Sequence, residues 1–577
     1  MRDNMRLTIA SALVALFAGS SNALAPPLEH PRHSVKEPRQ LPPFPEGLKT
    51  IVSPTNVTIR YKEPGNEGFC ETTPGVNSYS GYIDLAPNAH AYFYFFESRN
   101  DPANDPVTLW LNGGPGSDSL IGLFQELGPC NVTEELETMY NPYAWNNVSN
   151  MLFLSQPFGT GFSYTTMEAG SMDNVTGAFV DETVQSVTGR WPIADAEHID
   201  TTQMAAVAAF HIMQGFYSAL PQLDSEVSSK IFHLWTESYG GHYGPTFYDY
   251  FYEQNQLIAN GSMPGTELHM DTLGIINGII DSAIQTPYYP EFAVNNTYGI
   301  KAINDTVYNF MKFAWSMQDG CADYISYCRA GNKSSLSGEA VCSQAQAVCR
   351  LTVEYPYYSY GGRGVYDIRH PYDDPTPPDY FIDMLNTAEV QNILGVAVNY
   401  TTNNANTYYA FAQTGDFVWE TYMEDLEYLL DQGVRVGLIY GDADYICNWF
   451  GGEAVSLAVN YTDADAFRAS GYVPFTVDDT EYGEVRQYGN FSFLRIYESG
   501  HEIPYYQPEA SLAFFDRTIN HMILADGSEP LTDDYGTEGE PEATHTNPFV
   551  PLPSSTSSAA GEEETGGVWD VPIYWDS

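Results

Sequence analysis

Ile231-Phe-His-Leu-Trp-Thr-Glu-Ser238-Tyr-Gly-Gly-His-Tyr-Gly244 is the stretch from which the fold of this chain follows. An apolar run typical of a buried strand leads directly into Ser238, and glycines and a predicted helix over 242–256 come next. A sharp turn between strand and helix lifts the serine hydroxyl above the sheet edge, where the helix N-terminus favours developing negative charge. The context predicts a nucleophilic serine, although Thr236 replaces the first glycine of the usual Gly-X-Ser-X-Gly pattern.

Short apolar runs and helical patterns alternate on both sides of this turn. Besides 231–235, we predict buried strands at 92–96, 107–111, 151–154, 273–276 and 434–440, and a helix over 201–219. Alternating strands and helices over this length predict an α/β fold with a mostly parallel central sheet. The alternation fails from about 286 to 395, where Tyr, Pro, Gly and Cys become frequent, which predicts an insertion with its own disulfides.

The chain is therefore expected to consist of six segments. They are a signal peptide (1–25), an extended arm or propeptide (26–50), the first part of the core (51–285), an insertion or lid (286–395), the second part of the core (396–525) and an acidic disordered tail (526–577). The tail is rich in acids, Ser and Pro and contains no Lys or Arg.

The N-terminus has the pattern of a secretory signal peptide. Arg2 and Arg6 precede an apolar run at 7–18, and small residues follow up to Ala25. Cleavage after Ala25 places a proline next, so cleavage after Ala23 is an equal alternative. The apolar run is too short to span a membrane.

Composition excludes several classes of partner. The 577 residues include 74 Asp+Glu against 23 Lys+Arg, a formal charge of −51. This charge argues against nucleic acid and anionic membranes as partners. It is consistent with an acidic working environment, where carboxylates protonate and self-repulsion falls; plain surface solubility is the alternative.

Eleven Asn-X-Ser/Thr sites support export to a glycosylating compartment, although each motif alone is common by chance. They are Asn56, Asn131, Asn147, Asn174, Asn260, Asn295, Asn304, Asn332, Asn399, Asn460 and Asn490.

Four of the seven cysteines lie close together, separated by 7, 14 and 7 residues. This symmetric spacing suits two nested bridges, Cys321–Cys349 and Cys328–Cys342. Other pairings and a metal site remain open from sequence alone, but export favours disulfides.

The remaining cysteines are Cys70, Cys130 and Cys447. An odd total leaves at least one cysteine without an intramolecular partner. If the nested bridges form, Cys70 pairs with Cys130 and Cys447 stays free.

A serine nucleophile on such a sheet needs an acid and then a histidine further along the chain. Asp444 follows the predicted strand at 434–440, and His501 follows another short apolar run. Asp442 competes with Asp444 on spacing, and His242 and His370 compete with His501.

A glycine-rich turn follows the predicted strand at 107–111, in Asn112-Gly113-Gly114-Pro-Gly-Ser117. Glycines let backbone N–H groups approach an oxyanion without an intervening side chain. A simple tight turn is the alternative.

Five blocks in this order resemble the serine carboxypeptidases, specifically the carboxypeptidase Y-like branch of the α/β-hydrolases. The blocks are 110–116 (Trp-Leu-Asn-Gly-Gly-Pro-Gly), 155–164 (Ser-Gln-Pro-Phe-Gly-Thr-Gly-Phe-Ser-Tyr), 237–243 (Glu-Ser-Tyr-Gly-Gly-His-Tyr), 441–449 (Gly-Asp-Ala-Asp-Tyr-Ile-Cys-Asn-Trp) and 500–501 (Gly-His). The run Pro-Tyr-Tyr-Gln-Pro-Glu after the histidine resembles secreted fungal members. The resemblance covers about residues 60 to 520 and implies an α/β-hydrolase fold with a lid.

The resemblance also implies residue roles. Ser238 would be the nucleophile, His501 the general base and then acid, and Asp444 the residue that orients the histidine. The backbone N–H groups of Gly114 and Tyr239 would form the oxyanion hole.

The family binds the free C-terminal carboxylate of its substrate, and the matching residues here are Trp110, Asn112, Gly113, Glu126 and Glu237. Two close carboxylates raise one another's pKa and can share a proton. The neutral pair would donate a hydrogen bond to the substrate carboxylate, so we expect peptide cleavage to be fastest at acidic pH.

Three further positions matter in the comparison with the family. Cys447 matches a free cysteine near the substrate pocket. Glu502 replaces a common Met, and we hypothesise that it lines the leaving-residue pocket and favours Lys or Arg there. Ser117-Asp118-Ser119 replaces a common Cys-Ser-Ser, so one family disulfide is absent and the predicted Cys70–Cys130 bridge would substitute for it.

The sequence thus predicts a secreted serine carboxypeptidase that acts on peptide and protein C-termini through an acyl-enzyme. We expect no metal or cofactor, no nucleic-acid or membrane partner, and a monomer or homodimer; the vacuole is the alternative location. Acyl transfer or esterase action would not need Glu126 and Glu237, and a catalytically dead binding protein would not need the Ser, Asp and His.

Overall fold

The computed structural model describes residue 42 and residues 44–173, 179–181, 186–194, 198–331 and 335–547. The predicted signal peptide, most of the predicted arm, the sites Asn174 and Asn332 and the last thirty residues of the predicted tail lie outside this part of the chain.

The described residues contain seventeen strands. They are β1 (Lys49–Val52), β2 (Thr58–Lys62), β3 (Ser78–Ala86), β4 (Ala89–Phe96), β5 (Val107–Leu111), β6 (Cys130–Val132), β7 (Thr138–Tyr140), β8 (Asn150–Leu154), β9 (Thr166–Asp173), β10 (Phe179–Val180), β11 (Ser186–Ile193), β12 (Ile231–Glu237), β13 (His269–Ile276), β14 (Arg435–Gly441), β15 (Val473–Val477), β16 (Thr480–Tyr488) and β17 (Phe491–Ile496).

The same residues contain sixteen α-helices. They are α1 (Thr202–Leu223), α2 (Gly240–Ala259), α3 (Ser282–Gln285), α4 (Tyr288–Phe292), α5 (Asp305–Ser316), α6 (Cys321–Ala330), α7 (Leu336–Cys349), α8 (Tyr355–Tyr360), α9 (Tyr380–Leu385), α10 (Ala388–Leu394), α11 (Ala405–Thr414), α12 (Thr421–Asp431), α13 (Trp449–Ala458), α14 (Ala464–Ala469), α15 (Ile503–Tyr506) and α16 (Pro508–Ile519). Short π-helical turns occur at Gly122–Glu126 and Arg350–Glu354, and 3₁₀ turns at Pro64–Glu67, Trp145–Asn147 and Asp416–Val418.

One twelve-stranded sheet organises the molecule, in the order β1-β2-β3-β4-β8-β5-β12-β13-β14-β17-β16-β15. The six strands at the centre of this order are parallel, which confirms the predicted parallel centre; they are β8, β5, β12, β13, β14 and β17. The flanking strands on both sides are antiparallel. Since the carboxyl ends of parallel strands meet at one edge, this order places the ends of β5, β12, β14 and β17 together.

The central strands are buried and mostly apolar, as expected where helices cover both faces of the sheet. Every residue of β5, β8, β14 and β17 is buried. One hydrophobic cluster combines strand residues with residues of α1 and α2. A second cluster combines other strand residues with Phe514 and Phe515 of α16. The sheet is therefore a rigid base for side chains at its strand ends.

A helical insertion lies between β13 and β14, from α3 to α12. It begins close to the predicted start at 286, but its helices continue to Asp431 rather than ending near 395. The disulfides Cys321–Cys349 and Cys328–Cys342 join α6 to α7 as predicted. The four bridged cysteines and Ile325 belong to a small hydrophobic core within the insertion, separate from the two clusters on the sheet. The bridges stabilise this core, which contains few aliphatic residues.

The third predicted disulfide, Cys70–Cys130, is also present. Cys447 is free and buried.

An antiparallel ribbon of β9, β10 and β11 was not anticipated from the sequence. Its residues are mixed and partly exposed, so they lack the clear alternation of a half-buried strand.

The prediction of a disordered tail is wrong for residues 526–547. Gly536 bridges to Tyr488, and Glu540 bridges to Tyr472 beside β15. The backbone carbonyl of His545 accepts a hydrogen bond from Arg495 Nη2 at 2.9 Å, and its ring stacks on Tyr497. Backbone pairing and one buried arginine therefore hold a segment whose composition alone predicted disorder. Likewise Lys49 and Thr50, predicted as part of an arm, begin β1.

One predicted glycosylation site is also wrong. Asn399 is fully buried, its Oδ1 accepts a hydrogen bond from the backbone N–H of Arg190, and its Nδ2 donates to Asn386 Oδ1. An amide with both ends engaged in the interior cannot carry a glycan in the folded protein. By contrast, Asn56, Asn260, Asn295, Asn304 and Asn460 are exposed.

Among the described residues, no helix combines the length and the apolar character that crossing a bilayer requires.

Candidate active site

The strand-to-helix turn at the end of β12 has the strained geometry expected of a nucleophile. Ser238 lies between β12 and α2 with a positive φ of 64°, a conformation that non-glycine residues rarely adopt. Its N–H donates to Ile276 O at 3.0 Å, and its carbonyl accepts from the N–H groups of Gly241 and Ile279, both at 2.9 Å. Three backbone hydrogen bonds thus fix the serine at the sheet edge.

Thr236 fits this turn although it replaces a glycine of the usual pattern. Its Oγ1 donates to the carbonyl of Gly240 at 2.9 Å. A Cβ added at Gly240 would lie 2.5 Å from Thr236 Cβ, so the glycine in the first turn of α2 supplies the space. Of the two residues in this close contact, Thr236 therefore carries the side chain and Gly240 carries none.

The acid and the histidine come from the ends of β14 and β17. Asp444 Oδ2 lies 2.6 Å from His501 Nδ1. The carboxylate is fully buried and accepts further hydrogen bonds from Asn277 Nδ2 at 2.8 Å and the backbone N–H of Ile446 at 3.1 Å. These donors hold Asp444 in the orientation that faces the histidine.

The competing residues lie elsewhere. Asp442 accepts a hydrogen bond from Tyr298 OH and faces Arg495. The ring nitrogens of His242 contact the carbonyls of Ile279 and Phe417 in the interior.

His370, the other competitor, contacts Asp367 and Asp374 instead of Asp444. The geometry therefore favours Asp444 and His501 over each alternative that spacing left open.

Cys447 is packed against this pair. The potential metal-ligand atoms of Asp444, Cys447 and His501 lie within 4.8 Å of one another. The Asp444–His501 contact is already a hydrogen bond, so the group has the arrangement of an acid–histidine pair with an adjacent thiol. Burial, the Asp444 charge and nearby carboxylates raise the pKa of the Cys447 thiol well above its usual value, which keeps it protonated. Cys447 lies behind the cavity and is not among its lining residues, whereas Ile446 is.

The loop after β5 approaches the serine turn closely. A Cβ at Gly113 would lie 2.3 Å from the backbone nitrogen of Tyr239, so only glycine fits there. Gly114 has a φ of 107°. Within the described residues, the N–H groups of Gly114 and Tyr239 have no protein acceptor, which is the condition expected of oxyanion-hole donors.

Asp416 is a residue that the sequence analysis missed. Its buried carboxylate accepts hydrogen bonds from the backbone N–H and the Oγ1 of Thr202, at 3.0 and 2.6 Å, and from the hydroxyl of Tyr239. It thereby ties a 3₁₀ turn of the insertion to the N-terminus of α1 and to Tyr239. No sequence motif marks it.

Asn112 connects two buried glutamates next to the serine. Its Oδ1 accepts hydrogen bonds from Trp110 Nε1 at 2.8 Å and from the backbone N–H of Gly122 at 2.9 Å. Its Nδ2 therefore points towards Glu237 Oε1, at 3.0 Å, and Glu126 Oε1, at 3.3 Å. We call Asn112, Glu126 and Glu237 the glutamate clamp. Trp110 is buried beneath it and orients Asn112.

The structure adds a third carboxyl group to the predicted pair. Burial raises the pKa of Glu126 to about 7. Burial, followed by repulsion from Glu126 and Glu502, raises the pKa of Glu237 well above its usual value, and burial and Glu126 do the same for Glu502. Each of the three has an Oε2 atom that is buried without a hydrogen-bond partner, which favours the neutral, protonated form of the carboxyl group.

A cavity opens above these residues, between the sheet edge and the insertion. Asn112, Gly113, Gly114, Glu237, Ser238, His501 and Glu502 line the core side. Arg350, Tyr355, Tyr358, Tyr408 and Phe417 line the insertion side. The predicted catalytic serine and histidine and part of the clamp thus share one open site.

A parallel sheet with a serine at a strand-to-helix turn, followed along the chain by an acid and a histidine at later strand ends, defines the α/β-hydrolase class. The family model for serine carboxypeptidases matches residues 64–521, and the chain belongs to this family. It is a serine-type carboxypeptidase, as its sequence motifs implied.

Fungal carboxypeptidases are among the relatives of this chain. A carboxypeptidase S1 homologue of Arthroderma otae is 40% identical over 85% of this chain and 80% of its own length. Carboxypeptidase S1 of Penicillium janthinellum is 38% identical over 80% of this chain and 99% of its own length. A vacuolar serine-type carboxypeptidase of Saccharomyces cerevisiae is 33% identical over 83% and 85%.

The crystal structure of a Saccharomyces cerevisiae prohormone-processing carboxypeptidase matches the fold with a TM-score of 0.61. It covers 80% of this chain and 96% of its own length at 20% identity.

Proposed function

We propose that this carboxypeptidase is secreted, works at acidic pH and cleaves peptides through an acyl-enzyme on Ser238, with His501 as base and Asp444 as its orienting acid. The observation that carries the proposal is the glutamate clamp, because it sits beside the serine and its acids are kept neutral by burial. Such a pair recognises a free C-terminal carboxylate at low pH.

The reaction follows from these positions. Ser238 Oγ attacks the last peptide carbonyl while His501 takes the hydroxyl proton, and Asp444 stabilises the resulting imidazolium through Nδ1. The N–H groups of Gly114 and Tyr239 stabilise the oxyanion. His501 then protonates the departing amino acid, which leaves an ester on Ser238. Water, deprotonated by His501, hydrolyses this ester and releases the shortened peptide.

The clamp determines which end of a peptide is cleaved, because it binds the C-terminal carboxylate. Asn112 donates through Nδ2, and Gly113 leaves room for the substrate backbone. Protonated Glu126 and Glu237 can donate hydrogen bonds to a carboxylate, whereas their ionised forms would repel it. Because the pKa of Glu126 is raised to about 7, the binding form prevails below neutral pH and is lost as the pH rises above it.

Two further roles are proposed for residues near the clamp. Glu502 lines the cavity on the clamp side, and we assign it to the pocket of the leaving residue, where a bound Lys or Arg would draw it into the ionised form. Cys447 supports the catalytic pair from behind.

Secretion rests on the N-terminal pattern and on exposed glycosylation sites such as Asn56, Asn260 and Asn460. The vacuole is the competing location. Peptide and protein C-termini are the proposed substrates.

The direct test is release of the C-terminal amino acid from an N-blocked dipeptide by the purified protein and by Ser238→Ala. We expect loss of at least about 10⁴-fold in kcat for the variant, since residual catalysis without the nucleophile is small. Release that survives this substitution would contradict the proposal.

A further inference from the structure

The insertion side of the cavity carries a positive charge in a strongly acidic protein. Arg350 is the only Lys or Arg among the described residues that line the cavity, whereas Glu237, Glu502 and Asp379 are the acids that line it. It lies in the π-helical turn Arg350–Glu354, directly after α7. Nothing in the reaction described above uses it.

The guanidinium of Arg350 is only loosely paired within the protein. Its Nη1 lies 3.5 Å from Glu354 Oε1, longer than a direct charge-assisted hydrogen bond of about 2.7–2.9 Å. Glu354 Oε1 instead accepts a hydrogen bond from Tyr358 OH at 2.8 Å. The side chain of Arg350 is 18% exposed and that of Glu354 9%, so the cation is the more accessible partner. An arginine fork presents five donors, and most of them remain available here.

Tyrosines complete the surroundings of this cation. The ring centroid of Tyr408 lies 5.6 Å from Arg350, and its hydroxyl is buried without a partner although the residue lines the cavity. Tyr355 and Tyr358 line the same side. The guanidinium fork, flanked by these rings, suits a carboxylate.

The position of the clamp determines which part of a substrate reaches Arg350. The clamp holds the last carboxylate, and the leaving residue lies between the clamp and Ser238, on the side that Glu502 also lines. The chain on the other side of the cleaved bond must extend into the remainder of the cavity. That remainder is lined by Ile446, next to the catalytic acid, and by the insertion residues around Arg350.

We propose that this insertion side binds the side chain of the residue preceding the cleaved bond, and that Arg350 selects Glu or Asp at that position. The inference rests on the proposed function, because it takes the direction of the peptide from the glutamate clamp. A glutamate side chain there gains a bidentate pair with Arg350. A glutamine of the same size gains neither the charge nor the two-pronged contact.

The test uses N-blocked Glu-Leu and Gln-Leu, which share one leaving residue, at a pH of about 5.5, where a glutamate side chain is ionised. The measured quantity is the ratio of kcat/KM for Glu-Leu to that for Gln-Leu. We expect a ratio of about 10 to 100 in the wild-type protein, the range expected for hydrogen bonds to a charged group. Arg350→Met should bring the ratio to about 1, and Arg350→Lys should give an intermediate value because lysine keeps the charge but lacks the fork.

Arg468→Met is the matched control, because Arg468 lies on α14, is 37% exposed and pairs with Asp465 away from the cavity. It should retain the wild-type ratio. Glu354→Gln removes the competing carboxylate while keeping an acceptor for Tyr358, and it should raise the ratio.

A wild-type ratio near 1, or a high ratio that persists in Arg350→Met, would overturn the inference. Both results are distinct from failure of the proposed function, in which leucine would not be released from either substrate or would still be released by Ser238→Ala.

Discussion

At the scale of single residues, the site depends on contacts that a sequence motif only partly records. Ser238, Asp444 and His501 were identified from strand ends and family blocks, and the resemblance favoured Asp444 over Asp442, which spacing alone left open. The structure supplies the physical reason for that preference, since Asn277 and the Ile446 N–H orient Asp444 towards the histidine.

The glutamate clamp gives a prediction about pH. Glu126→Gln/Glu237→Gln removes both ionisable groups while leaving amide donors in their place. Since the pKa of Glu126 is raised to about 7, wild-type KM for a free-carboxylate substrate should rise as the pH passes about 7, and the double variant should lose this rise. Steady-state KM measured from about pH 5 to 8 tests it. A rise at the same pH in the double variant would assign the titration to another group.

Glu502 gives a prediction about the leaving residue. Glu502→Met should lower kcat/KM for C-terminal Lys or Arg by about tenfold relative to C-terminal Leu, because one ion pair is lost. Glu502→Gln, which keeps the size but not the charge, should behave in the same direction. The preference is measured with N-blocked dipeptides that differ only in the last residue, and an unchanged preference in both variants would refute the role.

At the scale of elements, the insertion contributes to the catalytic centre as well as covering it. The 3₁₀ turn Asp416–Val418 holds Tyr239 through Asp416, and the N–H of Tyr239 is one of the two proposed oxyanion donors. The insertion is thereby linked to the strand-to-helix turn that carries Ser238, the proposed nucleophile.

Asp416→Asn tests this link. The amide keeps one acceptor oxygen and replaces the other with an NH₂ donor, so it cannot accept from both the Thr202 N–H and the two hydroxyls as the carboxylate does. We expect kcat to fall by about tenfold with little change in KM, since a displaced oxyanion donor affects the transition state more than binding. Tyr239→Phe, which removes the same hydroxyl, should show the same split. A rise in KM with unchanged kcat in both would indicate a role in substrate binding instead.

The elements were predicted from sequence where burial leaves a clear pattern. The runs predicted as strands coincide with β4, β5, β8, β12, β13 and β14, and the structure has a strand at each of them. The cysteine spacing was equally informative, and all three predicted disulfides are present. The ribbon β9–β11 was missed because its residues are neither apolar nor regularly alternating.

The sequence motifs identified residues that the structure brings together, but they did not identify the residues that support them. Asp416 and Arg350 lie in an insertion without a recognisable pattern, and only folding brings Asp416 to Tyr239 and Arg350 to the cavity. The third carboxyl of the cluster was visible as a departure from the family at Glu502, but its coupling to Glu126 and Glu237 needs distances.

At the scale of the whole molecule, the net charge of −51 coexists with many buried acids. Burial raises the pKa of several acids outside the clamp, among them Asp118, Asp416 and Asp442 to about 6 and Glu97 to about 7. Other carboxylates are paired and have a lowered pKa, including Asp84 with Arg60 and Asp271 with His521.

These opposite shifts predict an acidic optimum of stability. Acids with a raised pKa stabilise the fold below their unfolded values, near pH 4, and this contribution is lost as the pH rises through about 6 to 7. Paired acids such as Asp271 lose their contribution only as the pH falls below about 4. The melting temperature, measured by calorimetry, should therefore be higher near about pH 5 than near about pH 7.5. A melting temperature that increases steadily up to neutral pH would contradict this balance.

The central claim is that protonated glutamates recognise a free C-terminal carboxylate beside Ser238. The most direct measurement is kcat/KM for one N-blocked dipeptide and for its C-terminal amide, followed from about pH 4 to 9. The account predicts that the free acid is cleaved best at acidic pH and that its kcat/KM declines above about pH 7, whereas the amide, which has no carboxylate to repel, retains its rate at higher pH. Parallel profiles for the two substrates, or fastest cleavage of the free acid at alkaline pH, would contradict it.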